Sequence, residues 1–205
     1  MKSDDRKLIA AFQSGDYHAF DTLYERYAGR VLAFAVQITS DPNTAEDLAH
    51  EVFIGAFKGL QTFRNQSSVL TWLFSITVRR WRDKQRDKRL QTIPYPEDND
   101  PYLLANASAL HNLTLRHSME MADLTQGVAQ LNALLREAFL LVVVQQLTHR
   151  EAAQVLECPL GTVKWRVAEA LRQVRANLQT REQQQLEQVE QEQEKEKENV
   201  SCLLS

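Results

Sequence analysis

A chain of 205 residues and 23.6 kDa has room for one large domain or two small ones, each able to bury a core. With 43% apolar and 25% charged residues it has the ordinary mix of a soluble globular protein, and six glycines with five prolines leave too few tight turns for a many-stranded β fold. The net charge of −3 is modest, two cysteines (Cys158 and Cys202) exclude a disulfide scaffold or four-cysteine zinc site, no apolar run approaches a membrane span, and Met1-Lys2-Ser3-Asp4-Asp5 does not open a secretory signal.

The expectation is therefore a cytoplasmic, all-α protein. Residues 4–14 read as a short helix with Asp4 or Asp5 as N-cap and Leu8, Ile9 and Phe12 on one face. After Gly15-Asp16, apolar residues recur at Phe20, Leu23, Tyr24, Tyr27, Val31, Leu32, Ala35 and Ile38, the spacing of a long amphipathic helix. Ser40-Asp41-Pro42-Asn43 breaks it, with Asp41 or Asn43 able to cap a third helix running to about Leu60. Its inward residues are Leu48, Val52, Phe53, Ala56, Phe57 and Leu60. Arg64 to Ser68 reads as a polar loop, and a fourth helix spans about Ser68–Arg89. Residues 1–90 thus form a four-helix unit.

The charge is unevenly spread. Arg79, Arg80, Arg82, Lys84, Arg86, Lys88 and Arg89 face only Asp83 and Asp87 within eleven residues, a local +5 suited to a polyanion or to a solvated helix face. Residues 91–122 read as a flexible linker, since Pro94, Pro96 and Pro101 flank Glu97-Asp98-Asn99-Asp100 and periodicity is weak thereafter. The second unit, 123–178, opens with an apolar helix carrying Leu131, Leu134, Leu135, Ala138, Phe139, Leu141 and Val142. Shorter helices follow at about His149–Leu156 and Leu160–Leu178. Residues 179–205 form a Gln/Glu/Lys-rich tail of net charge −4, helical or disordered.

The strongest motif spans Leu147 to Leu178. Thr148 with Glu151 makes a capping box, Glu157-Cys158-Pro159-Leu160-Gly161 a short break, and Thr162-Val163-Lys164-Trp165-Arg166 a basic helix entry. Two short helices across a tight turn describe either a packing αα-hairpin or a DNA-binding helix-turn-helix. In the second case the amides and Thr162 hydroxyl of the second helix take a phosphate, while Lys164, Trp165, Ala168 and Glu169 face base edges.

The run Leu147–Arg166 resembles region 4 of bacterial extracytoplasmic-function sigma factors of the sigma-70 family, its Cys-Pro-x-Gly-Thr-Val stretch being closest to the envelope-stress, sigma-E-like branch. Ala45-Glu46-Asp47-Leu48-Ala49-His50-Glu51-Val52-Phe53 is similar to region 2.2 of that family. Thr71-Trp72-Leu73-Phe74-Ser75-Ile76, with Asp83 and Arg86 downstream, is similar to regions 2.3 and 2.4. Three motifs in family order cover roughly residues 8–178.

The resemblance implies a promoter-recognition subunit that binds core RNA polymerase through the β′ clamp helices and the β flap, and reads −10 and −35 elements of promoter DNA. An anti-sigma partner would cover regions 2.2–2.4 or region 4. Glu46, Asp47 and Glu51 would meet polymerase, with helix-dipole stabilisation as another use of the first two, and Phe53 and Phe57 would pack the core. The loop Arg64-Asn65-Gln66-Ser67-Ser68 would hold a flipped −10 base, unless it is a plain polar turn. Arg79, Arg80, Arg82, Lys84 and Arg86 would take phosphates and duplex edges, with Trp81 as a stacking surface and Trp72 in the core. The −35 set would be Thr148, Thr162, Lys164, Trp165, Arg166, Ala168, Glu169 and Arg172.

Departures from the family bear on specificity. Arg79 stands where the family often has Asn, Trp165 where it usually has Ser, and Glu169 and Leu171 where it has Arg. Glu169 could accept from cytosine N4, giving a −35 preference unlike the ordinary envelope-stress element. No phosphate-binding glycine loop, nucleophile elbow or paired histidine ligands occur, so no enzyme activity, cofactor, metal, small-molecule substrate or membrane insertion is expected. The alternative reading is a stand-alone helix-turn-helix regulator, which the 45–53 and 64–86 motifs disfavour.

Overall fold

The computed structural model describes residues 3–91, 126–179 and 183, with side chains for 4–87 in the first span. The described residues are helical, without a strand. The first unit is α1 (Ser3–Gln13), α2 (His18–Thr39), α3 (Pro42–Leu60) and α4 (Val69–Gln91). After a single turn at 126–129, the second unit holds α5 (Ala133–Phe139), which widens into a π-helical turn at Leu140–Val144, then α6 (His149–Leu156) and α7 (residues 160–179). The expected linker, 91–122, lies outside the described residues except for Gln91, which ends α4, and so does nearly all of the tail.

The caps explain where the chain turns. Asp41, in an extended conformation before Pro42, accepts from the Thr44 amide at 2.8 Å, so it and not Asn43 caps α3. Ser68 does the same for α4, accepting from the Thr71 amide at 3.0 Å, and the helix proper begins one residue later than the pattern suggests. Asp4 and Asp5 lie inside the first turn of α1 rather than before it. Asp5 is buried, accepting from the Tyr27 hydroxyl at 2.7 Å and from Arg26, which latches α1 onto α2. Burial, then the hydrogen bond to Asp5, pushes the Tyr27 phenol up to about 12.

The first core is built where Val31, Phe34 and Ile38 of α2 meet Leu48, Val52 and Ala56 of α3 and Leu73, Phe74 and Val78 of α4. Phe34 and Phe74, both fully buried, pack with their rings tilted by 50° and centroids 4.7 Å apart. Gln13 of α1 donates to the Leu60 and Phe63 carbonyls, each at 3.0 Å, and so ties α1 to the turn that follows α3. Trp72 packs against Phe63 at 4.7 Å and against the core, in keeping with its place on the apolar stripe. Phe53 is buried, but Phe57 is 43% exposed: its ring lies edge-on to Phe12 and Phe20 at the rim where α1 ends.

In the second unit the expected apolar helix is interrupted. The Gln145 amide donates five residues back to Leu140 at 2.8 Å, Gln146 takes a left-handed φ of 57°, and the Leu147 amide reaches Leu141 at 3.0 Å. Leu135, Leu141, Val155, Leu156, Val163, Val167 and Val174 close this core. The capping box is complete: the Glu151 amide donates to the Thr148 hydroxyl at 3.2 Å, and the Thr148 amide donates to the Glu151 carboxylate at 2.9 Å.

Candidate nucleic-acid and protein-binding surfaces

α7 is anchored by Val163, Val167, Ala170 and Val174, which recur at helical spacing and are all buried. The same spacing turns Lys164, Trp165, Ala168, Leu171 and Arg172 outward in one stripe. Trp165, at 63% exposed, holds its indole away from the core. Thr162 and Arg166 are half-buried, and an Arg166 guanidinium nitrogen lies 3.8 Å from the Cys158 sulfur. Glu169 is engaged: the Arg172 fork donates to both its oxygens at 2.8 and 2.5 Å, and Gln173 adds a third bond at 2.7 Å. Those donors, Arg172 first, hold the Glu169 carboxyl down at about 2. A carboxylate with three donors on it is not a ready acceptor for cytosine, so the outward Arg172 is the group this pair presents. Thr148 is likewise committed, since its hydroxyl also donates to Glu151 at 2.7 Å.

The loop before α4 divides in two. Arg64, Asn65 and Gln66 are exposed, and Asn65 has a left-handed φ of 56°. Ser68 serves as the cap and Ser67 donates to its carbonyl at 3.3 Å, so the hydrogen bonds of both serines are turned back on the chain. Beyond the loop, α4 carries the basic run. Arg79 and Arg80 are exposed, while Trp81 is half-buried against the core. Among the described side chains, four of its charges are paired: Arg79 with Glu157, Arg82 with Glu137, Lys84 with Glu51 and Arg86 with Asp83.

On α3, Glu46, Asp47 and His50 are exposed together with Ile54 and Phe57. Glu46 and Asp47 stand past the first turn, which holds no acidic residue, so the helix dipole gives little reason for their charge. Glu51 is half-buried and bridges to Lys84 at 2.9 Å, tying α3 to α4. Sequence patterning did not single out Ile54 or Tyr17; both are more than half exposed beside Phe57, and a residue's place at the rim of a helix stripe is fixed only by packing. Among the described residues no group of three His, Cys, Asp or Glu could hold a metal ion, and no helix is long and apolar enough to cross a membrane.

Known proteins match in the same order as these surfaces. The sigma-70 region 2 profile matches residues 23–91 and the sigma-70 region 4 profile residues 121–174. The RNA polymerase sigma-H factor of Pseudomonas aeruginosa is 30% identical over 178 residues, 82% of this chain and 91% of its own length. The ECF RNA polymerase sigma-E factor of Escherichia coli K12 is 27% identical over 173 residues, 81% of this chain and 90% of its own. Two solved structures share the fold: the sigma factor RpoE of Bartonella quintana in complex with the anti-sigma factor NepR, and CnrH in complex with the cytosolic domain of CnrY. Their TM-scores are 0.62 and 0.63 at 22% and 23% identity, covering 78% and 87% of this chain and 96% and 99% of theirs.

Proposed function

Because the chain belongs to the sigma-70 family of RNA polymerase sigma factors, in its extracytoplasmic-function branch, we propose how its helices share the work of promoter-directed initiation. The protein binds core RNA polymerase and promoter DNA and directs initiation at promoters. In our reading residues 1–90 dock on polymerase and open the −10 element, 123–178 read the −35 element, 91–122 connect them and 179–205 form an accessory tail. The chain works as a cytoplasmic binding subunit and performs no bond chemistry of its own.

The observation that carries this division is the outward stripe of α7, with an exposed indole and cations on a helix whose opposite face is wholly buried. Phosphate contacts by Lys164 and the half-buried Arg166 set the register, while Trp165 and Ala168 offer apolar surface to base edges and thymine methyls. Arg172, steered by Glu169, follows one turn later. Across the molecule, the exposed Glu46, Asp47, Ile54 and Phe57 suit a partner with basic and apolar surface, the role we give to the β′ clamp helices. The β flap is the further polymerase contact we assign to the second unit. Arg64, Asn65 and Gln66 are placed to receive an unstacked −10 base, and Arg79, Arg80, Arg82, Lys84 and Arg86 to take phosphates. An anti-sigma protein, the kind of partner bound to RpoE, controls the chain by covering these same surfaces.

Transcription from a library of promoter fragments, with core polymerase reconstituted with the purified chain, tests the scheme. The expected result is initiation at a defined promoter class whose −35 sequence departs from the ordinary envelope-stress motif, because an indole and a neutralised Glu169 replace Ser and Arg there. Failure to bind core polymerase refutes the function. Recovery of the ordinary −35 motif refutes the specificity argument alone.

A further inference from the structure

On the outward side of α7 three side chains are bound to one another. Arg172 lies side-on against Glu169, its Nε donating to one carboxylate oxygen at 2.8 Å and its Nη2 to the other at 2.5 Å. Gln173 donates to the second of these oxygens at 2.7 Å, so the carboxylate is braced from two adjacent positions of the helix. The Glu169 side chain is 22% exposed and that of Arg172 is 68% exposed. The acid is thus tucked down on the helix and the guanidinium stands outside it. Side-on pairing uses Nε and one hydrogen of Nη2, and leaves the outer edge of the guanidinium, Nη1 with Nη2, as two parallel donors turned away from Glu169. Side chains on a helix slant toward its N-terminus, and Arg172 bonds three residues back, so this edge lies over the turn of Ala168 and Glu169. That brings it toward the end of the helix from which a helix-turn-helix reaches base edges.

We propose that Arg172 reads one guanine of the −35 element, its Nη1–Nη2 edge donating to guanine O6 and N7 in the major groove, and that Glu169, braced by Gln173, is the positioning residue that holds this edge outward. The assignment rests on the reading of α7 as the −35 helix and adds to it a base and an atom-level contact. Two parallel donors fit guanine alone. Guanine shows two adjacent acceptors in the major groove, whereas adenine sets an amino donor beside N7, thymine offers one acceptor with a methyl, and cytosine offers a donor. An exposed arginine without a brace has another use, because a phosphate accepts the same fork whatever the sequence. Such a side chain also gives up much rotamer freedom when it is fixed square to a base. Glu169 acts on both counts: its two oxygens fix the guanidinium plane before DNA arrives, and its negative charge disfavours a phosphate at the same place. An acidic residue on a DNA-facing stripe is thereby accounted for, without any contact of its own to a base.

The test uses holoenzyme, core polymerase with the full chain, in competition binding on promoter duplexes that carry each base pair in turn at every −35 position. The native chain is expected to prefer guanine at one position by about tenfold or more. Arg172→Ala flattens that position and leaves the preferences at the others in place. Glu169→Gln keeps the shape but cannot accept from both guanidinium nitrogens, and lowers the guanine preference about threefold or more. In the Arg172→Ala background Glu169→Gln changes no base preference, because it acts through the arginine. Replacing the guanine by 7-deazaguanine removes N7 alone, weakens the native chain about fivefold and leaves Arg172→Ala unaffected. Val163, Val167, Ala170 and Val174 anchor α7 and are untouched in every variant. Uniform weakening of all sequences by Arg172→Ala makes the arginine a phosphate contact and overturns the proposal, while α7 remains the −35 helix. A guanine preference unmoved by Glu169→Gln overturns the positioning role, and the proposal with it. A native chain without base preference anywhere in the −35 element overturns the reading of α7 itself.

Discussion

Asn65 offers the cleanest separation of backbone duty from base reading. Its φ of 56° is a conformation that costs an ordinary L-residue about 1–2 kcal/mol and costs glycine essentially nothing. Its side chain is exposed in the loop ahead of α4, where we place the unstacked −10 base. Asn65→Gly therefore keeps the turn and removes only the amide. The loss of a hydrogen-bonded base contact is worth about 1–3 kcal/mol, which lowers open-complex formation roughly tenfold. Asn65→Ala removes the amide and adds about 1 kcal/mol of backbone strain, a further fivefold or so. The order expected is native, then glycine, then alanine. Holoenzyme assembled with each variant, on a promoter carrying a fluorescent base analogue in the −10 element, reports opening directly. Binding to core polymerase is the internal control and stays unchanged, because the exposed face of α3 is untouched. A glycine variant that opens promoters as well as the native chain makes Asn65 a turn residue and nothing more.

Two other perturbations probe the scaffold. Thr148→Ala removes half of the capping box and lowers the melting stability of the second unit by about 1–2 kcal/mol; Thr148→Ser restores it, and a serine that fails to do so in calorimetry contradicts the capping role. Tyr27 titrates near 12 when folded and near 10 when unfolded, so the folded chain holds a proton that the unfolded chain has lost across that interval. Stability is accordingly fully present below pH 10 and falls as pH rises toward 12, by up to about 2–3 kcal/mol from this group. Urea melts of Tyr27→Phe at pH 8 and 11 are expected to show a shallower alkaline loss, alongside a neutral-pH cost of about 1–3 kcal/mol because an oxygen of buried Asp5 loses its donor. An unaltered alkaline slope rejects the assignment.

What sequence could and could not disclose follows from the range of each signal. Thr148 with Glu151, and Asp41 before Pro42, are local devices whose partners lie three residues away, so pattern and structure agree on them. The apolar periodicities of α2 and α3 also survive folding, apart from Tyr24, Leu32 and Phe57, which are exposed. Phe57 shares a stripe with Phe53 and yet is exposed, because only the end of α1 decides where the covered part of that stripe stops. Leu140-Leu141-Val142-Val143-Val144 is uniformly apolar and carries no mark of a widened turn. The bonds from Arg82 to Glu137 and from Arg79 to Glu157 span 55 and 78 positions, and nothing in a basic run names the carboxylates it will meet. Glu169 stands in the stripe that the pattern assigns to base edges, and its engagement by Arg172 and Gln173 is a matter of rotamers, which no pattern discloses.

The π-helical turn acts as a gear tooth between the two halves. Its one additional residue rotates everything downstream by about 100° relative to an unbroken α-helix, and in that setting the Gln145 carbonyl points at Arg30 and its side chain at Gln37. Deleting a single residue from Leu140–Val144 would leave each helix intact and yet swing α6 and α7 to a different bearing, parting Glu157 from Arg79 without touching either. The bearing of α7 is thus set by the count of residues in a stretch well before it in the chain.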